Sequence, residues 1–202
     1  LYRSVLGRET AIQKCVWGDD GWLRLDGEKF VPQDEVPAPN LPAHPFPTEP
    51  ERYDFNAEAG LPIAFQWLRS PYPERLFSLT ERPGQLRLFG RESIGSWFEQ
   101  SLVARRQTDF DYDAETEVEC TPTSHLQMAG LIAYYNRFAY HYLCVSHDEE
   151  AGRSLQVFYC DGQWPNGMMA IGLDNAVSLP DGPVRLKAEV RGAALRFFYW
   201  KD

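Results

Sequence analysis

The sequence has no apolar run near the ~18 residues that a membrane-spanning helix needs. It shows no secretory leader pattern, and no Asn-x-Ser/Thr acceptor occurs anywhere in its 202 residues. Basic charge is scarce: 20 Lys and Arg stand against 29 Asp and Glu, a net charge of −9. That balance argues against a nucleic-acid binder, because phosphates demand basic patches, and against docking on anionic membranes. There are only four cysteines, Cys15, Cys120, Cys144 and Cys160. None forms a C-x-x-C pair or a zinc-like spacing. Four reduced thiols in a reducing, cytoplasmic compartment are expected, with a Cys144–Cys160 bridge as the alternative. No Gly-rich phosphate loop, no Ser-His-Asp or Cys-His arrangement and no long amphipathic helix is present, and no cofactor is implied.

What remains is strand. Short runs with period-2 alternation or dense β-branched and aromatic residues follow one another: TAIQKCVW (10–17), WLRL (22–25), IAFQWLR (63–69), GQLRLFG (84–90), SLVARRQ (101–107) and AETEVEC (114–120). They continue with MAGLIAYYN (128–136), AYHYLCVSH (139–147), RSLQVFYCD (153–161), VRLKAEV (184–190) and ALRFFYW (194–200). Turn residues separate them, among them Gly18-Asp19-Asp20-Gly21, Asn136-Arg137, Asp161-Gly162 and Pro180-Asp181-Gly182. In AETEVEC, Ala114, Thr116, Val118 and Cys120 share one face while Glu115, Glu117 and Glu119 share the other, which predicts a half-buried antiparallel strand. Many short strands at this spacing predict an all-β chain built on a β-sandwich or jelly roll.

The stretch 36–51 breaks the pattern with six prolines, Pro37, Pro39, Pro42, Pro45, Pro47 and Pro50. Proline cannot donate to a ladder, so this is a stiff extended linker, with His44 and Phe46 as candidate anchors. Three parts follow: 1–31 with a hairpin, 32–52 as linker, and 53–202 as sandwich. A lone hairpin is marginal in water, so the first needs a sheet to join. The chain also ends on an apolar strand, which would leave a bare edge.

Glycoside hydrolysis needs two facing carboxylates, and no such acid/base pattern stands out. The SHDEE stretch, Ser146 to Glu150, offers oxygen and imidazole ligands for a metal, or is an ordinary charged hairpin loop. Aromatics make up 14% of the chain. Tyr134, Tyr135, Phe138 and Tyr140 cluster around one turn and either fill a core or form a platform on which a sugar face stacks. Tyr140 and Tyr142 share one strand face, His141 and Leu143 the other.

The stretches GRETAIQKCVWGDDGWLRL, the proline linker, LFGRES, SLVARRQ, MAGLIAYYN and YLCVSHDEE, in that order, resemble the C-terminal part of bacterial β-xylosidases of glycoside hydrolase family 43. The resemblance implies that 1–31 closes the last blade of a five-bladed catalytic β-propeller and that 53–202 is a concanavalin A-like β-sandwich. It implies an inverting mechanism on xylo-oligosaccharides, with an Asp base, a Glu acid and a tuning Asp all upstream of Leu1, so no catalytic residue is expected here. It maps the arginine of the family's GRE motif onto Arg8, which would reach the terminal xylose; a guanidinium fork can donate to two sugar hydroxyls at once. The charged turn before the first strand would then face a pocket. The family's sandwich continues past 200 with further strands and a loop aromatic that helps close the active site, so this sandwich is expected to be incomplete. A homo-oligomer is expected on the same ground. The implied role is to shape the pocket and stabilise the propeller, inactive alone. The rivals are a free-standing carbohydrate-binding module and a purely structural oligomerisation domain.

Overall fold

The computed structural model describes residues 6–7, 10–27, 31–162, 167–172 and 176–200. The chain divides into two compact units, Leu1–Tyr53 and Asp54–Asp202.

In the first unit, β1 (Cys15–Trp17) pairs antiparallel with β2 (Leu23–Leu25), Cys15 opposite Leu25 and Trp17 opposite Leu23. The turn between them closes with the Gly21 amide donating to the Gly18 carbonyl at 2.9 Å. Gly21 sits at φ +77°, where only glycine is unstrained. Arg24 reaches back to Asp20 with both terminal guanidinium nitrogens, and Lys14 pairs with Asp26 at 2.7 Å. Trp17 and Trp22 are largely exposed. The proline stretch carries no strand or helix, as the missing N–H groups dictate. His44 and Phe46 meet each other edge-on at 6.3 Å, and Phe46 is exposed.

The second unit holds twelve strands among the described residues. Short ones come first: β3 (Phe65–Trp67), β4 (Phe77–Ser78), β5 (Arg87–Leu88) and β6 (Val103–Arg105), paired β3 with β6 and β4 with β5. The long strands follow: β7 (Asp111–Val118), β8 (Ala129–Asn136), β9 (Ala139–Asp148) and β10 (Gly152–Asp161). After them come β11 (Ala170–Ile171), β12 (Val177–Ser178), β13 (Val184–Arg191) and β14 (Ala194–Trp200).

One sheet runs β11-β10-β9-β8, with β12 also on β10; another runs β14-β13-β7; all pairings are antiparallel. The two sheets share a core. Leu143, Val145 and Leu155 of one sheet meet Val184 and Leu186 of the other, with Leu179 between. Each is less than a tenth exposed, and burying one such side chain is worth about 1.5–3 kcal/mol. β13 shows how the pattern does this: Val184, Leu186, Ala188 and Val190 are buried while Arg185 and Arg191 are exposed. β7 and the two residues after it alternate as expected, with Ala114, Thr116, Val118 and Cys120 half-buried and Glu115, Glu117 and Glu119 exposed.

Gly130 on β8 is required by close approach. A Cβ there would strike the Leu143 carbonyl and lie 2.6 Å from the Cys144 Cα. Arg153, at the start of β10, donates to the carbonyls of Cys120 (3.0 Å), Pro180 and Gly182 (2.7 Å), tying three chain segments together.

All four cysteines are free, and the register excludes the Cys144–Cys160 bridge. Gln156 lies opposite Cys144 and Tyr140 opposite Cys160. The offset of four residues is about 13 Å along the strand, against the ~7 Å limit for a disulfide.

Candidate functional site

Three places in the chain were expected to carry chemistry. Arg8 lies outside the described residues. The SHDEE stretch forms the end of β9 and its turn. Asp148 Oδ1 accepts hydrogen bonds from the amides of Glu150 and Ala151, both at 2.9 Å, and these hold its carboxyl below the usual carboxylate range. The carboxylate therefore closes the turn. Beside it a cleft is lined by Thr123, Ser124, His125, His147 and Glu149. Its wall is held by the Thr123 amide donating to Gln127 Oε1 at 2.7 Å and by Ser146 Oγ donating to the His125 carbonyl at 3.4 Å. Among the described residues no group of three His, Cys, Asp or Glu side chains is placed to hold a metal.

The aromatic cluster sits at the β8–β9 turn. The amide of Phe138 donates to Asn136 Oδ1 at 2.8 Å, an Asx turn that presents Arg137 at the tip. A register shift between Tyr134 and Asn136 leaves Tyr135 out of the ladder, and its ring is exposed. Tyr134 and Tyr140 face each other across the strands, rings stacked at 6.4 Å. Phe138 and Tyr140 are 8% and 4% exposed. They form a second core with Cys160, packed by Ile94, Ile132, Tyr134 and Tyr142. Thus Tyr134, Phe138 and Tyr140 come together and Tyr135 points elsewhere. A sugar platform needs open rings, and two of the four are closed off. The physical reason is a cover that strand periodicity cannot show: the segment bearing Ile94 and Trp97 folds over this face of β9. Burial pushes the Tyr140 hydroxyl up to about 12 and the Tyr142 hydroxyl higher still.

The cover brings side chains that strand reading passed over. The Trp97 ring meets Phe138 edge-on at 6.0 Å and remains 44% exposed. The Arg137 guanidinium lies 4.0 Å from the Trp97 ring centre and 4.5 Å from that of Phe138. Arg69 lies 5.9 Å from the same indole and donates to the Trp97 carbonyl at 3.3 Å. Gln100, 7% exposed, donates to the Ile94 carbonyl, and its Oε1 faces the Tyr134 hydroxyl at 3.5 Å. The available signal was the Trp97-Phe98 pair in a segment with no strand pattern.

Two antiparallel sheets closed on one core, with short strand pairs and turns around them, define a concanavalin A-like β-sandwich. Residues 52–202 match the family described as Beta xylosidase C-terminal Concanavalin A-like domain, and the chain belongs to that family within glycoside hydrolase family 43. It is 46% identical to a xylosidase/arabinosidase 43B of Humicola insolens over 98% of its own length and 36% of that protein's. It is 44% identical to a β-xylosidase of Bacillus subtilis over 87% of its length and 32% of that protein's. The crystal structure of a xylan β-1,4-xylosidase from Bacillus halodurans C-125 matches with a TM-score of 0.88 at 42% identity, covering 98% of this chain and 37% of that one. The chain thus spans about a third of the length of these relatives, and they match it in its C-terminal-domain family.

Proposed function

We propose that this chain is the C-terminal region of a β-xylosidase that removes xylose from xylo-oligosaccharides with inversion. The observation that carries the reading is the match along 98% of this chain to 36% of a xylosidase/arabinosidase. The catalytic carboxylates then belong to an N-terminal β-propeller, which is this region's partner. The sandwich shapes the pocket and stabilises the propeller, and the chain alone is inactive. Exposed Trp17 and Trp22 on the short β1–β2 hairpin support a role for that hairpin as the end of a propeller blade (1–31), with 32–52 as linker and 53–202 as sandwich. Arg8 reaches the terminal xylose. The four free cysteines support a reducing, cytoplasmic setting, and the exposed Phe198, Tyr199 and Trp200 on the edge strand β14 support a homo-oligomer.

The test is hydrolysis of nitrophenyl β-xyloside by the chain alone and after mixing with the N-terminal propeller of a relative. Activity only in the mixture is expected, and Arg8→Ala should lower it. Turnover by the chain alone would refute the placement of the carboxylates upstream. A parallel assay with nitrophenyl α-arabinofuranoside ranks the two sugars.

A further inference from the structure

Many cations of the described chain face carboxylates. Arg24, Arg75, Arg82, Arg87, Arg191 and Arg196 are each in an ion pair. Arg69, Arg91, Arg106, Arg137, Arg153 and Arg185 have no ion pair among the described residues, and of these Arg69 and Arg137 both stand at the Trp97 ring. Arg137 is held over Trp97 and Phe138, and its Nε is buried with no hydrogen-bond partner. A buried donor left unmade is costly, and a charged one more so. Arg69 spends one N–H on the Trp97 carbonyl and is otherwise exposed. Both arginine charges act on the Tyr134 hydroxyl, opposing the upward push that burial gives it. Two guanidinium groups therefore meet at one indole ring, and among the described residues neither is in an ion pair with a carboxylate.

We propose that this cluster is a binding site for a carboxylate-bearing sugar, a hexuronate unit, at the β8–β9 end of the sandwich. The carboxylate lies between Arg69 and Arg137, whose planar forks suit bidentate recognition. The Tyr134 hydroxyl accepts from a ring hydroxyl while it donates to Gln100. The half-exposed indole of Trp97 offers apolar surface to the pyranose. The arginine pair sets the carboxylate requirement by itself. The choice of a sugar as its carrier rests on the glycosidase reading above, and it extends that reading to acid-substituted oligosaccharides.

Calorimetric titration of the 202-residue chain with sodium D-glucuronate tests this, with D-glucose and sodium acetate as the neutral ring and the ring-free carboxylate. Glucuronate should bind about tenfold or more tightly than either control, since each control lacks one half of the contacts. Arg137→Met and Arg69→Gln should each weaken glucuronate by about tenfold. Arg69 is exposed, so its variant keeps the test decisive if Arg137→Met does not fold. The proposal fails if glucuronate gives no binding, if glucose matches it, or if Arg69→Gln binds unchanged. Acetate binding as tightly as glucuronate would also overturn it, in favour of a protein carboxylate as the natural partner. Because binding is read without catalysis, glucuronate binding beside an inactive propeller mixture would refute the β-xylosidase reading alone. An active mixture without glucuronate binding would refute this site alone.

Discussion

At the scale of single residues, space and solvent access decide more than chemistry does. At Gly130 the β9 backbone leaves no room for the glycine hydrogen to become a methyl. Gly130→Ala should cost about 1–3 kcal/mol, the range for forcing a methyl into packed structure; urea unfolding with an unchanged slope is the measurement. The cysteines separate by burial. Burial pushes the Cys144 thiol up to about 12, while Cys15 lies open. A disulfide-exchange reagent should therefore label Cys15 rapidly in the folded chain and reach Cys144 and Cys160 only after denaturant is added. Fast labelling of Cys144 without denaturant would contradict the sheet placement. The four thiols were readable from spacing; that Cys144 and Cys160 cannot meet follows from register, a property of two strands together.

At the scale of elements, the alternation in β7 and β13 was legible because each strand has one wet face and one dry face. Their outer faces then build an ion network. Lys187 Nζ stands 2.7 Å from Asp113 and 3.5 Å from Glu115, and Arg191 stands 2.9 Å from Asp113. The hydrogen bond from Lys187, and that from Arg191, hold the Asp113 carboxyl below its ordinary value of 3.8. A carboxyl lowered in the folded state adds stability that is complete above the ordinary value. That stability drains away as pH falls through it toward the lower folded value. The melting temperature should fall below about pH 4, and Asp113→Asn should make that fall shallower. An unchanged acid limb in the variant would show that the network contributes nothing measurable, as surface pairs often do. Three strands of two residues escaped the sequence. β4, β11 and β12 are too short to show a period, and β11 and β12 exist because β10 offers them a partner. IAFQWLR and GQLRLFG shrink to Phe65–Trp67 and Arg87–Leu88 for the converse reason: their partners run out.

At the scale of the whole molecule, the division of labour is uneven. Every buried apolar residue among those described lies at or beyond Leu76, inside the second unit. A chain beginning at Asp54 should therefore melt within about 4 °C of the full chain, the shift that about 1 kcal/mol produces at this size. Scanning calorimetry reads this directly. A much larger drop would mean that the first unit braces the sandwich.

Composition and periodicity alone determined the all-β class, the proline break and the buried faces of β7 and β13. Each of these is a local matter of which residues accept water or supply an N–H. The order of short motifs carried the family. Only the tertiary structure decided that Phe138 and Tyr140 are core while Trp97, Arg69 and Arg137 meet at one point. A strand's period tells which side chains share a face, but what covers that face comes from a segment some forty residues away in the chain. Burial is the sum over everything that folds on top, and no stretch of sequence holds that sum by itself.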